Sequence, residues 1–304
     1  MPYPRTSGDI LADRRFAFAM SYKAQGDFQA AAELVEQALA AVPDWSTGWF
    51  SLGDLLESAG RRDEAIAAYR KSLAFDATDE AGAGARLARL GAIDADGAMT
   101  PAHVAALFDD YAGRFEASLV QGLGYRGPAL LRAALEPLRH PFHFGHVLDL
   151  GCGTGLAGEA FRDACESIDG IDLSEAMLAL ARRKDIYDRL EQSDVGAFLA
   201  GQPAQSADLV LAADVFVYLG NLETIFRQTA RVMKPGGLFA FSAQHSDGPD
   251  AFVLDHDMRY AHTPVAIAKW AAAAGLAIAA STDEWARHDR GKPVPGMVVV
   301  LARA

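Results

Sequence analysis

Residues 146–158 read His-Val-Leu-Asp-Leu-Gly-Cys-Gly-Thr-Gly-Leu-Ala-Gly. Residues 147–150 form a short apolar run that suits a buried strand ending at Gly151. Gly151, Gly153 and Gly155 follow at every second position, and a helical pattern begins near Thr154. With no Cβ in the way, a backbone at these positions turns tightly and approaches a ligand closely. The amides at the start of the following helix then face that ligand. The stretch reads as a loop that holds a nucleotide-type cofactor.

Gly153-x-Gly155-x-x-Gly158 also fits the dinucleotide fingerprint, so the choice of cofactor rests on a neighbour. Asp149 stands two residues before the first glycine, at the mouth of the strand. Its carboxylate repels a pyrophosphate, whereas S-adenosylmethionine (SAM) brings an ammonium and a sulfonium. Opposite charges at ~4 Å attract by roughly 4 kcal/mol at an effective dielectric of about 20, and like charges repel as strongly. No Gly-Lys-Ser/Thr follows the glycines, which excludes a phosphate-binding P-loop. Asp149-x-Gly151-x-Gly153-x-Gly155 resembles motif I of the class I SAM-dependent methyltransferases. The bland alternative is a glycine turn that holds no ligand.

A chain of 304 residues suggests about two domains, and with 51% hydrophobic residues it can bury a sizeable core. The net charge of −12 argues against a broad nucleic-acid or anionic-membrane surface, so neither is expected as a partner. Cys152 and Cys165 have neither metal-ligand spacing nor a disulfide framework, and no metal is expected. The run 271–280 is too short to span a bilayer, and Met-Pro-Tyr-Pro-Arg-Thr at the start lacks the apolar core of a signal peptide. The expectation is a cytoplasmic protein.

Two segments near the start repeat with a 34-residue period: Gly26 maps onto Gly60, Ala31 onto Ala65 and Leu39 onto Leu73. Trp49-x-x-Leu52-Gly53, continuing to Gly60, Ala65 and Tyr69, resembles a tetratricopeptide (TPR) repeat. Tyr22, Gly26 and Pro43 mark a weaker first copy. Helices are expected at about 10–25, 27–41, 45–59 and 61–75, with residues 79–91 capping the array. TPR arrays bind peptides or proteins; self-association or a helical platform are equal alternatives here. This domain is assigned residues 1–95, and Asp94-Ala-Asp-Gly97 reads as the loop that follows it.

Residues 96–304 are assigned to the second domain, opening with lid helices at about 100–138. Thr100-Pro101 supplies an N-cap with proline at the first helical position. Phe108, Tyr111 and Phe115 share one helical face, which is either core or the cover of the cofactor. The stretch resembles the helix that covers the cofactor in many class I methyltransferases, and its wording that of bacterial TPR-containing predicted methyltransferases. That resemblance implies that Tyr111 reaches the methionine end of SAM, with Phe115 or Arg126 lining the lid.

Residues 167–172 read as the second strand, which ends on Asp172. A carboxylate there accepts hydrogen bonds from ribose hydroxyls, or else caps the next helix, a role Ser174 fills equally well. Gly170-x-Asp172-Leu173-Ser174-x-x-Met177 resembles the family's second motif, which implies Met177 beside the adenine and Leu173 among the cofactor-binding residues. Asp194-Val195 closes a third strand candidate; the resemblance puts the acid on the adenine amino group and the Val195 amide on the ring. A fourth strand at 208–213 delivers Asp214 to the carboxyl edge of the sheet, where ligands bind in open α/β sheets. Asp214 orients a nucleophile or stabilises the surroundings of the sulfonium, and Tyr218 shapes the acceptor pocket or simply packs. A helix over 222–233 stops at Lys234-Pro-Gly-Gly237, and 238–242 is the fifth strand.

His245, His256 and His262 fall in a stretch, 244–263, that reads as irregular. A histidine is the obvious general base for an oxygen nucleophile. Arg259-Tyr260-x-His262 resembles a string that recurs in the TPR-methyltransferase group, which makes His262 and Tyr260 the acceptor-side candidates, with His245 lining the pocket. A last helix at 265–274 and strands at 276–287 and 294–301 complete the chain. The expected fold is a seven-stranded Rossmann-like sheet with an antiparallel terminal strand, preceded by a small all-α TPR domain. The expected function is methyl transfer from SAM, leaving S-adenosylhomocysteine, to a small-molecule acceptor. The alternatives are a protein methyltransferase whose repeats recruit the target, and a SAM-binding scaffold without turnover.

Overall fold

A computed structural model describes residues 6–116, 124–285, 288–289 and 292–304. The chain divides into two compact units, Met1–Asp110 and Tyr111–Ala304. Residues 96–110, grouped above with the second domain, fall within the first of these units. Five helices build it: α1 (Ile10–Ala24), α2 (Phe28–Ala41), α3 (Ser46–Ser58), α4 (Arg62–Phe75) and α5 (Ala83–Arg89). A sixth, α6 (Pro101–Tyr111), ends on the first residue of the second unit. The first four match the expected spans to within a residue or so at each end.

The repeated small residues act in two different ways. Gly26 and Gly60 lie in the left-handed region at φ +81 and +77, and a Cβ at either would have nothing within 4 Å among the described residues, so they serve the turns. Gly53 instead faces the Tyr69 ring, which a Cβ would approach to 2.5 Å. Ala31, Ala65, Leu52 and Tyr69 are all buried, so the helices of this unit close on a core of their own.

In the second unit, α7 (Gly127–Leu135) leads into β1 (Phe144–Leu150). Then follow α8 (Leu156–Phe161), β2 (Cys165–Asp172), α9 (Glu175–Arg182), β3 (Arg189–Gln192), α10 (Val195–Gly201) and β4 (Ala207–Ala212). The chain continues through α11 (Glu223–Val232), β5 (Met233–His245), β6 (Phe252–Leu254), β7 (Tyr260–His262) and α12 (Pro264–Ala273). It ends with β8 (Leu276–Asp283), the short ribbon of β9 (His288–Asp289) and β10 (Lys292–Pro293), and β11 (Gly296–Arg303).

The main sheet runs β3-β2-β1-β4-β5-β11-β8. Pairing is parallel from β3 through β5, and β11 inserts antiparallel to both β5 and β8. This is the expected seven-stranded Rossmann-like sheet with one reversed terminal strand. Phe216, Phe226, Phe239, Phe241 and Trp270 belong to one core cluster, while Leu131, Leu135, Phe144 and Phe161 belong to another. Strand order reverses beside β1, between β2 and β4, and the crevice at that point is where open α/β sheets bind ligands.

The stretch expected to be irregular, 244–263, contains a hairpin. β7 extends β5 in parallel, with His245 opposite His262, and β6 pairs antiparallel with β7. Three-residue strands are too short to show a periodicity in sequence. No helix among the described residues is long and apolar enough to cross a membrane.

Candidate cofactor and acceptor site

The loop after β1 has the backbone that its glycines foretell. Gly151, Gly153 and Gly155 all take positive φ, at +66, +55 and +91, where a side chain is strained. A Cβ on Gly151 would meet Val215 Cγ2 at 2.6 Å, so this loop lies against the segment that follows β4. Among the described residues a Cβ on Gly153 would meet nothing within 4 Å, which leaves its face open to a ligand. Gly155 and Gly158 serve a third purpose, because both back onto the Tyr187 ring, at 3.2 Å and 2.5 Å from a Cβ.

Tyr187 carries no signal in the sequence. Its ring packs under Gly155, Gly158 and Gly170, and its hydroxyl donates to Asp149 Oδ2 at 2.7 Å. Asp149 therefore lies beneath the loop, 1% exposed, with its Oδ1 buried and lacking a hydrogen-bond partner among the described residues. Burial pushes its carboxyl up to about 7; the Tyr187 hydrogen bond opposes this and the charge of Asp172 adds to it. The charge contrast that the sequence places at the strand mouth thus falls on a buried carboxyl whose pKa burial raises. Nothing in the spacing of residues 146–158 foretells a tyrosine 38 positions away from its partner.

Asp172 closes the other side of the crevice. Its Oδ2 accepts from Gly153 N at 2.9 Å and its Oδ1 from Ser174 N at 2.8 Å, so it ties the glycine loop to the end of β2. Ser174, not Asp172, caps α9 by accepting from Met177 N. Leu173 is half-buried, and its carbonyl accepts from Gln192. Met177 is fully buried in α9. Asp194 lies just past β3 and caps α10 through Gly196 N and Ala197 N, with Val195 buried behind it. Tyr111 stacks edge-on against Phe115 at 5.7 Å, and Lys184 joins Glu116 (2.7 Å) to Glu159 on α8 (2.9 Å).

Asp214 follows β4 in the left-handed region at φ 61, with its amide donating to the buried Ser242 hydroxyl at 2.8 Å. A non-glycine residue held there costs about 1–2 kcal/mol, and such strain gathers at functional sites. Arg259 Nη1 lies 3.8 Å from Asp214 Oδ2, and its guanidinium sits 5.7 Å from the centroid of the Tyr218 ring. Tyr125 completes this corner: burial pushes its hydroxyl well above the ordinary phenol range, Asp214, Asp149 and Tyr218 push it further, and Arg259 opposes them. One tyrosine thus feels both the cofactor loop and the loop after β4. Tyr125 falls within the lid segment 100–138 and Arg259 within the 259–262 string, yet nothing in their local spacing marks either as a site residue.

The two catalytic candidates of the 260–262 string are corrected. His262 is wholly buried; its Nε2 donates to the carbonyls of Leu219 (3.0 Å) and Gly220 (2.9 Å), and its ring packs near Trp270 and Phe252. Burial lowers its pKa to about 4, with the carbonyl contacts opposing. It is a strut that fixes the loop carrying Tyr218. Tyr260 is 1% exposed and packs on Phe252, so it too is walled off from an acceptor. His245 and Arg126 turn to the end of β8, where His245 faces Asp283 at 3.5 Å and Asp247 at 3.2 Å. Arg126 stacks 4.5 Å over Trp285 and pairs with Glu284 at 3.6 Å.

Comparison with known proteins bears on this arrangement. Residues 148–241 match the family described as methyltransferase domain, and residues 16–80 match tetratricopeptide repeat. These matches support a class I SAM-dependent methyltransferase domain preceded by N-terminal TPR repeats. A malonyl-[acyl-carrier protein] O-methyltransferase of Enterobacter lignolyticus is 35% identical over 106 residues, 34% of this chain and 41% of that one. A ubiquinone biosynthesis O-methyltransferase of Azotobacter vinelandii is 30% identical over 151 residues, 43% of this chain and 64% of that one. The chain thus spans less than two thirds of the length of either relative. The structure of Burkholderia thailandensis 1,6-didemethyltoxoflavin-N1-methyltransferase, solved with S-adenosylhomocysteine, shares the fold: TM-score 0.52, 20% identity, 67% of this chain and 91% of that one.

The residues present fit the family's cofactor, SAM. The open face of Gly153, the Asp172 carboxylate tied to it, and the buried Oδ1 of Asp149, without a hydrogen-bond partner among the described residues, suit a cationic ligand.

Proposed function

We propose that this chain transfers the methyl group of SAM to a small-molecule acceptor and releases S-adenosylhomocysteine. The observation that carries the reading is the left-handed glycine loop, open at Gly153 and tied to Asp172, at the point where strand order reverses. In this reading Asp172 holds the ribose hydroxyls, Leu173 and Met177 flank the adenine, and Asp194 with the Val195 amide reads its edge. Tyr111 covers the methionine end, and Asp214 borders the acceptor. Bound SAM supplies a methyl group already activated by its sulfonium. The protein's task is alignment, with the acceptor atom held at a near-attack distance of about 3–3.5 Å. Support for a small acceptor comes from the A. vinelandii relative, named for O-methylation in ubiquinone biosynthesis.

A second reading, a protein target recruited by the repeats, is favoured by the exposed apolar side chains of α1: Leu11, Phe18 and Tyr22. Calorimetry with S-adenosylhomocysteine, followed by labelled SAM with panels of small acceptors and of proteins, tests both. Binding with turnover of small acceptors is expected. Label passing only to proteins favours recruitment, binding without turnover leaves a scaffold, and failure to bind refutes the assignment.

A further inference from the structure

We propose that the acceptor is a carboxylate, seated by Arg259 beside Asp214 and methylated on oxygen to give a methyl ester. The inference rests on the methyltransferase reading above. It begins with the β6–β7 hairpin, whose turn delivers one guanidinium to the carboxyl edge of the sheet. That turn is firmly built: Asp255 N donates to Arg259 O at 2.8 Å, Arg259 N donates to Asp257 Oδ1 at 3.1 Å, and Met258 adopts φ 62. Tyr260 and His262 then anchor the returning strand by burial. Arg259, with only 22% of its side chain exposed, is thereby held 3.8 Å from Asp214 and over the Tyr218 ring.

The groups that bear on Tyr125 in this corner are Asp214, Asp149, Tyr218 and Arg259: two carboxyls, a phenol and a guanidinium. An alcohol or an ammonium must lose a proton before or during attack, and neither His262 nor His245 is placed to take it. His262 is sealed behind Leu219 and Gly220, and His245 is engaged by Asp247 and Asp283. A carboxylate needs no base, because it is already ionised at neutral pH. Its planar pair of oxygens also matches the fork of a guanidinium, whose five donors suit it to more than one carboxylate. The step balances without a proton: an acceptor oxygen forms the bond to the methyl carbon and the carbon–sulfur bond breaks. Its electron pair stays on sulfur, and the negative and positive charges cancel.

The full-length protein is tested first for binding of S-adenosylhomocysteine, whose failure sinks the methyltransferase reading itself. Labelled SAM is then supplied with mono-, di- and tricarboxylic acids, each beside its primary amide, and with phenols and amines of similar size. The expected result is label in carboxylates alone, released as methanol by mild alkali. Arg259→Gln should lower kcat/KM for the best carboxylate by about 10- to 100-fold, with S-adenosylhomocysteine affinity kept within about twofold. Arg259→Lys should recover part of the loss, since it restores charge but not the fork. Turnover of phenols or amines that Arg259→Gln leaves unchanged overturns the proposal. So does a protein that binds S-adenosylhomocysteine while no carboxylate is methylated or raises the melting temperature of that complex above its amide.

Discussion

Replacing Asp149 by asparagine should remove a pH dependence that this one carboxyl imposes on stability. Asp149 is 1% exposed, and burial raises its pKa from 3.8 to about 7. Among the groups named around it, burial holds the Tyr187 hydroxyl and the Cys152 thiol well above their ordinary values. Both therefore stay neutral from pH 4 to 8, leaving Asp172 as the charge that bears on Asp149. Because the folded value is the higher one, the native state keeps a proton that the unfolded chain has lost. Stability from this group is full below about pH 4 and is lost as pH rises through about 7. The swing is about 4 kcal/mol, roughly three pKa units at about 1.4 kcal/mol each.

Asparagine keeps the shape, and its carbonyl oxygen can still accept from Tyr187, but it does not titrate. Urea denaturation of both proteins, taken without cofactor from pH 5 to 8, isolates the effect, since titrations not coupled to Asp149 cancel in the difference. The wild type should lose roughly 3 kcal/mol relative to Asp149→Asn across that range. A difference that stays flat, or that grows in favour of the wild type as pH rises, refutes the placement of this carboxyl in a dry site beneath the loop.

Gly153→Ala meets no atom within 4 Å but must hold φ +55, so a stability loss of about 1–2 kcal/mol should accompany a much larger fall in S-adenosylhomocysteine affinity, read by calorimetry. A variant that binds as tightly as the wild type would mean that the open face is not the cradle. Gly158→Ala drives a Cβ to 2.5 Å from the Tyr187 ring and should cost about 1–3 kcal/mol through overpacking, which Tyr187→Leu relieves in part. His262→Phe removes the donor shared by the Leu219 and Gly220 carbonyls, so the melting temperature should drop. Activity measured against pH should keep its shape, because no proton is taken by this residue; a vanished limb near pH 6–7 would restore it as a base. In the helical unit, Gly53→Ala puts a Cβ 2.5 Å from the Tyr69 ring, and thermal denaturation should show a loss of about 1–3 kcal/mol.

The glycine loop is legible in the sequence because everything that defines it is contiguous: an apolar run, three residues that tolerate positive φ, then a helix start. The same holds for the helical hairpins, where a repeat of 34 residues reports turns and close contacts together. What escapes depends on chain segments that meet only after folding. Tyr187 looks like an ordinary loop residue until Gly155, Gly158 and Gly170, from two different elements, leave a slot that only a ring fills. His262 illustrates the opposite error, since a histidine in a polar stretch suggests a proton carrier until Trp270 and Phe252 close over it.

The alternation at 260–262 holds part of the answer. Two large residues spaced by two share one face of a strand, and here both turn inward. A strand that buries Tyr260 and His262 serves to anchor whatever precedes it, and what precedes it is Arg259. The chemistry of this corner therefore belongs to the residue at the rim of the hairpin, and the two residues that resembled catalysts are what hold that rim in place.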